Sequence, residues 1–217
     1  MTFLPRFGNG TALPDSAIRQ TGQAASGPLQ KPVFLLLLSA ILALPLLAPA
    51  VLPLTDLGGH LGRFAVQLDR GADPHLAEWY SFSWQLLPNL GSDLLMEILA
   101  PILGLEGSLR AIVMLAVFLQ AIGILFTSKA THGRITPFAI IALPLIYGHS
   151  FIYGFLNFIL SIGLMWCSVA LWIALSRYEA GAWRRWAIFA VVATILWICH
   201  LVGWALFCIA AGSLELT

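Results

Sequence analysis

From residue 33 onward, long apolar runs alternate with short polar connections, and the runs are too long for β-strands. Residues 33–54 are long enough to cross about 30 Å of hydrocarbon as a helix. Further spans are predicted at 108–127, 135–151, 155–175 and 186–211, which makes about five. Pro45, Pro49 and Pro53 are expected to kink the first run or fray its far end, and Pro144 to make the third uneven. Residues 1–31 have no periodicity and are rich in Gly, Pro, Ser, Thr and Gln, which predicts a disordered tail ahead of a membrane domain at 32–217.

The stretch 55–107 is different. It mixes apolar and charged residues and holds most of the carboxylates. Two short helices are predicted, one near 57–68 and one opening at Asp73-Pro74, with Asp73 as N-cap and Pro74 at the first position. A third, 92–103, is amphipathic and is expected to lie in the membrane interface. Trp79, Tyr80, Phe82 and Trp84 fall between them, where ring systems favour the headgroup level. The predicted fold class is therefore all-α: a polytopic transmembrane helical bundle with a long external loop carrying short interfacial helices.

Composition agrees with that reading. Hydrophobic residues make up 59% of the chain and charged ones 10%, less than half of the share that covers a soluble domain. The net charge of +1 excludes a nucleic-acid binder, which needs a basic face to neutralise phosphates. Cys167, Cys199 and Cys208 all lie in apolar runs, without zinc spacing or an even count for disulfides. Arg6, Arg19 and Lys31 place the N-terminus in the cytoplasm. Lys129 and Arg134, then Arg177, Arg184 and Arg185, mark two later cytoplasmic connections, in step with the alternation of the spans. A multi-pass protein of a bacterial inner membrane is expected. Because the chain stops just after an apolar run, it is also expected to be a partial form of a longer membrane protein.

The candidate chemistry begins where the first span ends, at Thr55-Asp56-Leu57-Gly58-Gly59-His60-Leu61-Gly62-Arg63. On a helix, Asp56, His60 and Arg63 share one face. Asp56 or His60 could act as general base towards a hydroxyl or ligate a divalent cation, and Arg63 could bind phosphate oxygens in bidentate fashion. An ordinary interfacial helix start, with Asp56 capping and Arg63 reaching headgroups, has the same residues. Arg110 could meet an anionic headgroup or pair with Glu106. His149 and Asn157 flank the predicted turn between spans three and four, are expected to gather at the same face as Asp56, and are candidate substrate-binding residues with Arg63 and Arg110; His200 sits inside span five, where an imidazole implies either a polar cavity or a hydrogen-bonded core position. Trp79 and Trp84 could stack on a sugar or a polyprenyl tail, or simply form an aromatic belt.

This order of features resembles the N-terminal half of the GT-C class of integral membrane glycosyltransferases, and equally bacterial multi-pass proteins of unassigned function with the same architecture. The resemblance rests on Asp56 just after the first span, on the Asp-x-x-x-His spacing to His60, and on the long loop 55–107. It implies a polyprenyl-phosphate-linked sugar as donor, membrane lipid as surroundings, a divalent cation (Mg or Mn) as cofactor, and Asp56 with His60 as base and metal ligands. Leu57 stands where that class often has a second carboxylate. The alternative expectation is a non-enzymatic transport or envelope-assembly component with membrane-protein partners.

Overall fold

The computed structural model describes residue 27, residues 30–176 and residues 182–216. The tail expected at 1–31 and the basic residue Arg177 thus lie largely outside the described residues. Among the described residues all regular structure is helical. Two helices are long and apolar enough to cross a membrane, and three more apolar helices or helix pairs are shorter.

The first run forms α1 (Pro32–Ala43) and a 3-10 turn (Leu44–Leu47), so the helix tightens where Pro45 removes a backbone donor. A coil then leads into α2 (Leu57–Asp69) and the single-turn-and-a-half α3 (Pro74–Trp79), where the Asp73 side chain accepts from His75 N at 2.9 Å as the N-cap. Helix α4 (Gly91–His132) is broken at Gly104, whose φ of +68° and ψ of 178° only glycine adopts cheaply. The part before the break exposes Leu94, Ile98 and Ile102 along one stripe while Asp93 and Met96 are buried on the other side.

The third apolar run is divided into α5 (Pro137–Ala142), a 3-10 turn (Leu143–Tyr147) and α6 (His149–Ile152), as Pro144 requires. Helix α7 (Leu156–Ser176) is continuous. The fifth predicted span is not one helix. It divides at His200 into α8 (Ala182–Cys199) and α9 (Leu201–Glu215). Arg185, near the start of α8, pairs with Glu215, at the end of α9, and Trp172 of α7 donates to Glu215 Oε1 at 3.1 Å. Helices α8 and α9 therefore run antiparallel as a hairpin with His200 at its tip.

Helices α4 and α7 form the centre. A Cβ on Gly123 would stand 2.9 Å from the backbone nitrogen of Cys167, and one on Gly163 would stand 2.9 Å from that of Gln120. The paired glycines let the two backbones touch. Thr127 Oγ1 reinforces the crossing by donating to the Trp166 carbonyl at 3.0 Å. Helix α1 lies along the other side of α4, with Lys129 Nζ on the Gln30 carbonyl at one end and Arg110 on carbonyls of residues 46–50 at the other. Trp172, Phe189 and Phe207 fill the smaller core between α7 and the hairpin.

These contacts sort the chain ends into two levels. Lys31, Lys129, Arg134, Arg184 and Arg185 gather at one level with the ends of α7 and α9. The other level holds residues 48–56, the α2–α3 region, the first part of α4, the turn at 148–155 and His200. Large apolar side chains are exposed on α1, α5, α8 and α9, among them Leu37, Phe138, Ile141 and Val191. Patches of that extent need a covering other than water.

Candidate functional site

The level away from the basic residues carries an open cavity of about 430 Å³, lined by Asp56, His60, Asn89, Ser150, Asn157 and His200 together with apolar neighbours. Six polar residues from four separate parts of the sequence thus face one space.

Its floor is built where the first apolar run meets the turn at 152–154. The backbone nitrogens of Thr55 and Asp56 donate to the carbonyls of Ile152 and Tyr153, each at 3.0 Å. Gly154, at φ +78°, lies so close that a Cβ there would stand 3.3 Å from Asp56 N. Asp56 occupies the position before α2, yet its side chain makes no cap to the helix. Its carboxylate is left to face His60, with Oδ2 at 3.6 Å from Nε2. The Asp56 side chain is 60% exposed and that of His60 15%.

Burial pushes the His60 pKa below its ordinary value, and the Arg63 charge lowers it further against opposing effects of Asp56, the Gly154 backbone and Asp93. The shift favours the neutral ring, which can accept a proton, beside a carboxylate. The 3.6 Å separation is longer than a hydrogen bond, and such pairs tighten when a ligand closes the site.

The opposite wall is rigid. Asn157 is 3% exposed; its Oδ1 accepts from Ser92 N at 2.6 Å and its Nδ2 donates to the Asn89 carbonyl at 2.8 Å. It so satisfies one of the unpaired donors at the start of α4 and ties that start to α7. Leu90 N adds a bond to the Ile198 carbonyl at 2.8 Å, and a Cβ on Gly91 would meet Cys199 Sγ at 2.5 Å. At the hairpin tip, His200 Nδ1 accepts from Val202 N at 3.2 Å, which assigns the proton of the neutral ring to Nε2. Phe158 meets the His200 ring edge-on at 5.7 Å.

The other residues singled out in the sequence lie elsewhere. Arg63 shares the face of Asp56 and His60, but its guanidinium grips the carboxylate of Asp93, which is wholly buried, through two nitrogens. Gln67 Nε2 donates to the Asp93 carbonyl and to Glu97 Oε1, both at 3.0 Å, and Arg70 Nη2 to Glu97 Oε2 at 2.7 Å. The stripe on α2 thus continues as a polar ladder that fixes this helix to the first part of α4. Arg110 is not ion-paired with Glu106 among the described residues. Its nitrogens donate to the carbonyls of Leu46, Pro49 and Ala50 at 2.8, 2.8 and 2.6 Å, the groups that the proline-rich end of the first run leaves without helical partners. His149 is exposed and packs on Tyr153 with ring centroids 4.3 Å apart. Trp79 is 75% exposed, and Trp84 lines a separate pocket described below.

A divalent cation finds two protein donors here, Asp56 and His60. Among the described residues no three His, Cys, Asp or Glu side chains gather as a metal site. That set falls short of a resident site; it suits at most a cation carried in by a phosphorylated ligand. The part the sequence left unassigned is Ser150 and Asn89, whose positions depend on contacts with residues far along the chain. Comparison with protein-family models, with curated proteins and with solved structures gives no match.

Proposed function

We propose that the chain is a multi-pass membrane protein whose cavity is a glycosyl-transfer site of the GT-C kind, using a polyprenyl-phosphate-linked sugar. Helix directions support six crossings instead of five, because the hairpin at His200 adds one. With the basic level cytoplasmic, the positive-inside rule holds for Lys31, Lys129, Arg134, Arg184 and Arg185. The cavity then opens on the external side, consistent with a bacterial inner membrane.

One observation carries the reading: a carboxylate and a neutral imidazole, 3.6 Å apart, face a polar cavity at the end of an apolar bundle. In the reaction the acceptor hydroxyl lies against this pair. His60, steadied by Asp56, takes its proton as the acceptor oxygen bonds to the anomeric carbon. The bond from that carbon to the phosphate oxygen breaks, and the polyprenyl phosphate leaves with the electron pair. Asn89, Ser150 and His200 supply hydrogen bonds that orient the sugar. Since Arg63 and Arg110 are engaged within the protein, the leaving phosphate depends on donors of the cavity or on a cation that accompanies the donor.

The test is product formation from a radiolabelled polyprenyl-phosphate sugar by the full chain in lipid nanodiscs. Asp56→Asn and His60→Gln are each expected to lower the rate by about 100-fold or more while binding of the donor persists. Full activity in both variants would overturn the assignment. The hairpin tip favours a second reading, a transport pathway through His200 and Asn157. In that case solute flux would fail in His200→Ala and be untouched in Asp56→Asn.

A further inference from the structure

A second pocket, of about 500 Å³, lies beside α2 at the same level and shares no residue with the cavity of Asp56 and His60. Its volume is within the range of small-molecule sites, about 300–1,000 Å³. Three rings from the segment after α3, those of Tyr80, Phe82 and Trp84, line it. Phe82 and Trp84 are braced edge to face at 5.0 Å. Tyr80 is 62% and Trp84 49% exposed, so faces of both rings remain open.

The polar part of the lining includes Gln67, Asp69, Arg70 and Glu97. Arg70 and Glu97 meet there at 2.7 Å, and Gln67 Nε2 braces the same carboxylate at 3.0 Å. Gln67 is 1% exposed, and its Oε1 has no hydrogen-bond partner. Arg70 is the one non-glycine residue with positive φ, at +54°, among the described residues. That geometry is the left-handed C-cap of α2, continued by Gly71 at φ +80°, and it sets Arg70 on the pocket lining.

Aromatic rings and paired polar groups lining one pocket suit a ring that is apolar on its faces and polar at its edge. A neutral sugar is such a ring: its C–H faces stack on Trp84 and Tyr80, and its hydroxyls reach Arg70 and Glu97. Arg70 is paired with Glu97, and the Asp69 carboxylate, which also lines the pocket, accepts from Asp73 N at 3.1 Å, so the described lining offers an anionic ligand no unpaired cation. We propose that this pocket binds a neutral carbohydrate, separately from the cavity of Asp56 and His60. The inference stands without the transfer reaction, since no group of that cavity takes part.

The experiment is ligand-observed saturation-transfer NMR on the full chain in phosphatidylglycerol nanodiscs, titrated with maltotriose, cellotriose and chitotriose. At least one is expected to bind with millimolar affinity. Trp84→Ala should weaken it about tenfold, while Trp84→Phe, which keeps a stacking ring, and Asp56→Ala should stay within about twofold. Trp84 is half exposed, and circular dichroism of Trp84→Ala checks that the helices persist. No transfer to any of the three sugars, or equal binding in Trp84→Ala, would overturn the proposal. So would displacement of the bound sugar by choline, which would make the pocket a cage for quaternary ammonium. Loss of glycosyl transfer with sugar binding intact would strike the reaction alone.

Discussion

Arg63, read from the sequence as able to bind phosphate, holds the Asp93 carboxylate in the structure, and the size of that interaction is measurable. Its two terminal nitrogens hold Asp93, a carboxylate with 1% of its side chain exposed, while the Arg63 side chain itself is 39% exposed. The two ends of the pair are therefore unequal. Arg63→Met leaves a buried, unpaired carboxylate, and the expected loss is about 3 kcal/mol, the low end for a broken buried pair because water reaches the arginine side. Asp93→Leu leaves a guanidinium that turns outward to solvent, at a cost of about 1 kcal/mol. The double variant Arg63→Met/Asp93→Leu buries no charge and is expected within about 1 kcal/mol of the parent. The cycle should show a coupling of about 2–3 kcal/mol, measured by denaturant titration in micelles with circular dichroism as the signal. An Arg63→Met change below about 0.5 kcal/mol, or a cycle that is simply additive, would refute the ladder as the element that fixes α2.

Three further outcomes rest on His60 and on the α4–α7 contact. The His60 pKa is lowered in the fold, so protonation favours the unfolded chain: stability attributable to His60 is complete above its unfolded value near 6.5 and falls as pH drops below it. For the same reason product formation should be flat above pH 6.5, with its acid limb at lower pH, and His60→Gln should abolish that limb; a limb above 6.5 that survives in His60→Gln would contradict the role. Gly163→Val would drive its Cβ to 2.7 Å from Leu119 Cβ, and a destabilisation of about 1–3 kcal/mol is expected in the same denaturant assay, whereas an unchanged midpoint would argue against backbone contact of α4 and α7.

What the sequence revealed was local. Asp56 and His60 meet because four residues make nearly one helical turn, and Asp73-Pro74 starts a helix because its own side chain caps it. The all-helical class and the breaks at Pro45 and Pro144 were legible for the same reason. What was hidden was distant. Asp93 lies 30 residues from Arg63, and the carbonyls that take Arg110 lie 60 to 64 residues away, so no spacing rule connects them. The hairpin at His200 was hidden for another reason. Apolar residues on both sides read as one run, and the turn depends on an imidazole that serves as its own N-cap. The proline run at 45–53 did carry a signal for Arg110, because carbonyls freed by proline need donors from elsewhere.

The claim that Asp56 and His200 face one external, ligand-filled cavity is tested most directly by thiol labelling of single cysteines at those positions. The background replaces Cys167, Cys199 and Cys208 by alanine, and a membrane-impermeant maleimide is added to either side of oriented vesicles. Asp56→Cys and His200→Cys are both expected to react from the external side only, and a polyprenyl-phosphate sugar should slow both reactions together. Position 200 unreactive from that side, as in an unbroken span over 186–211, or labelling untouched by the lipid at both positions, would contradict the account.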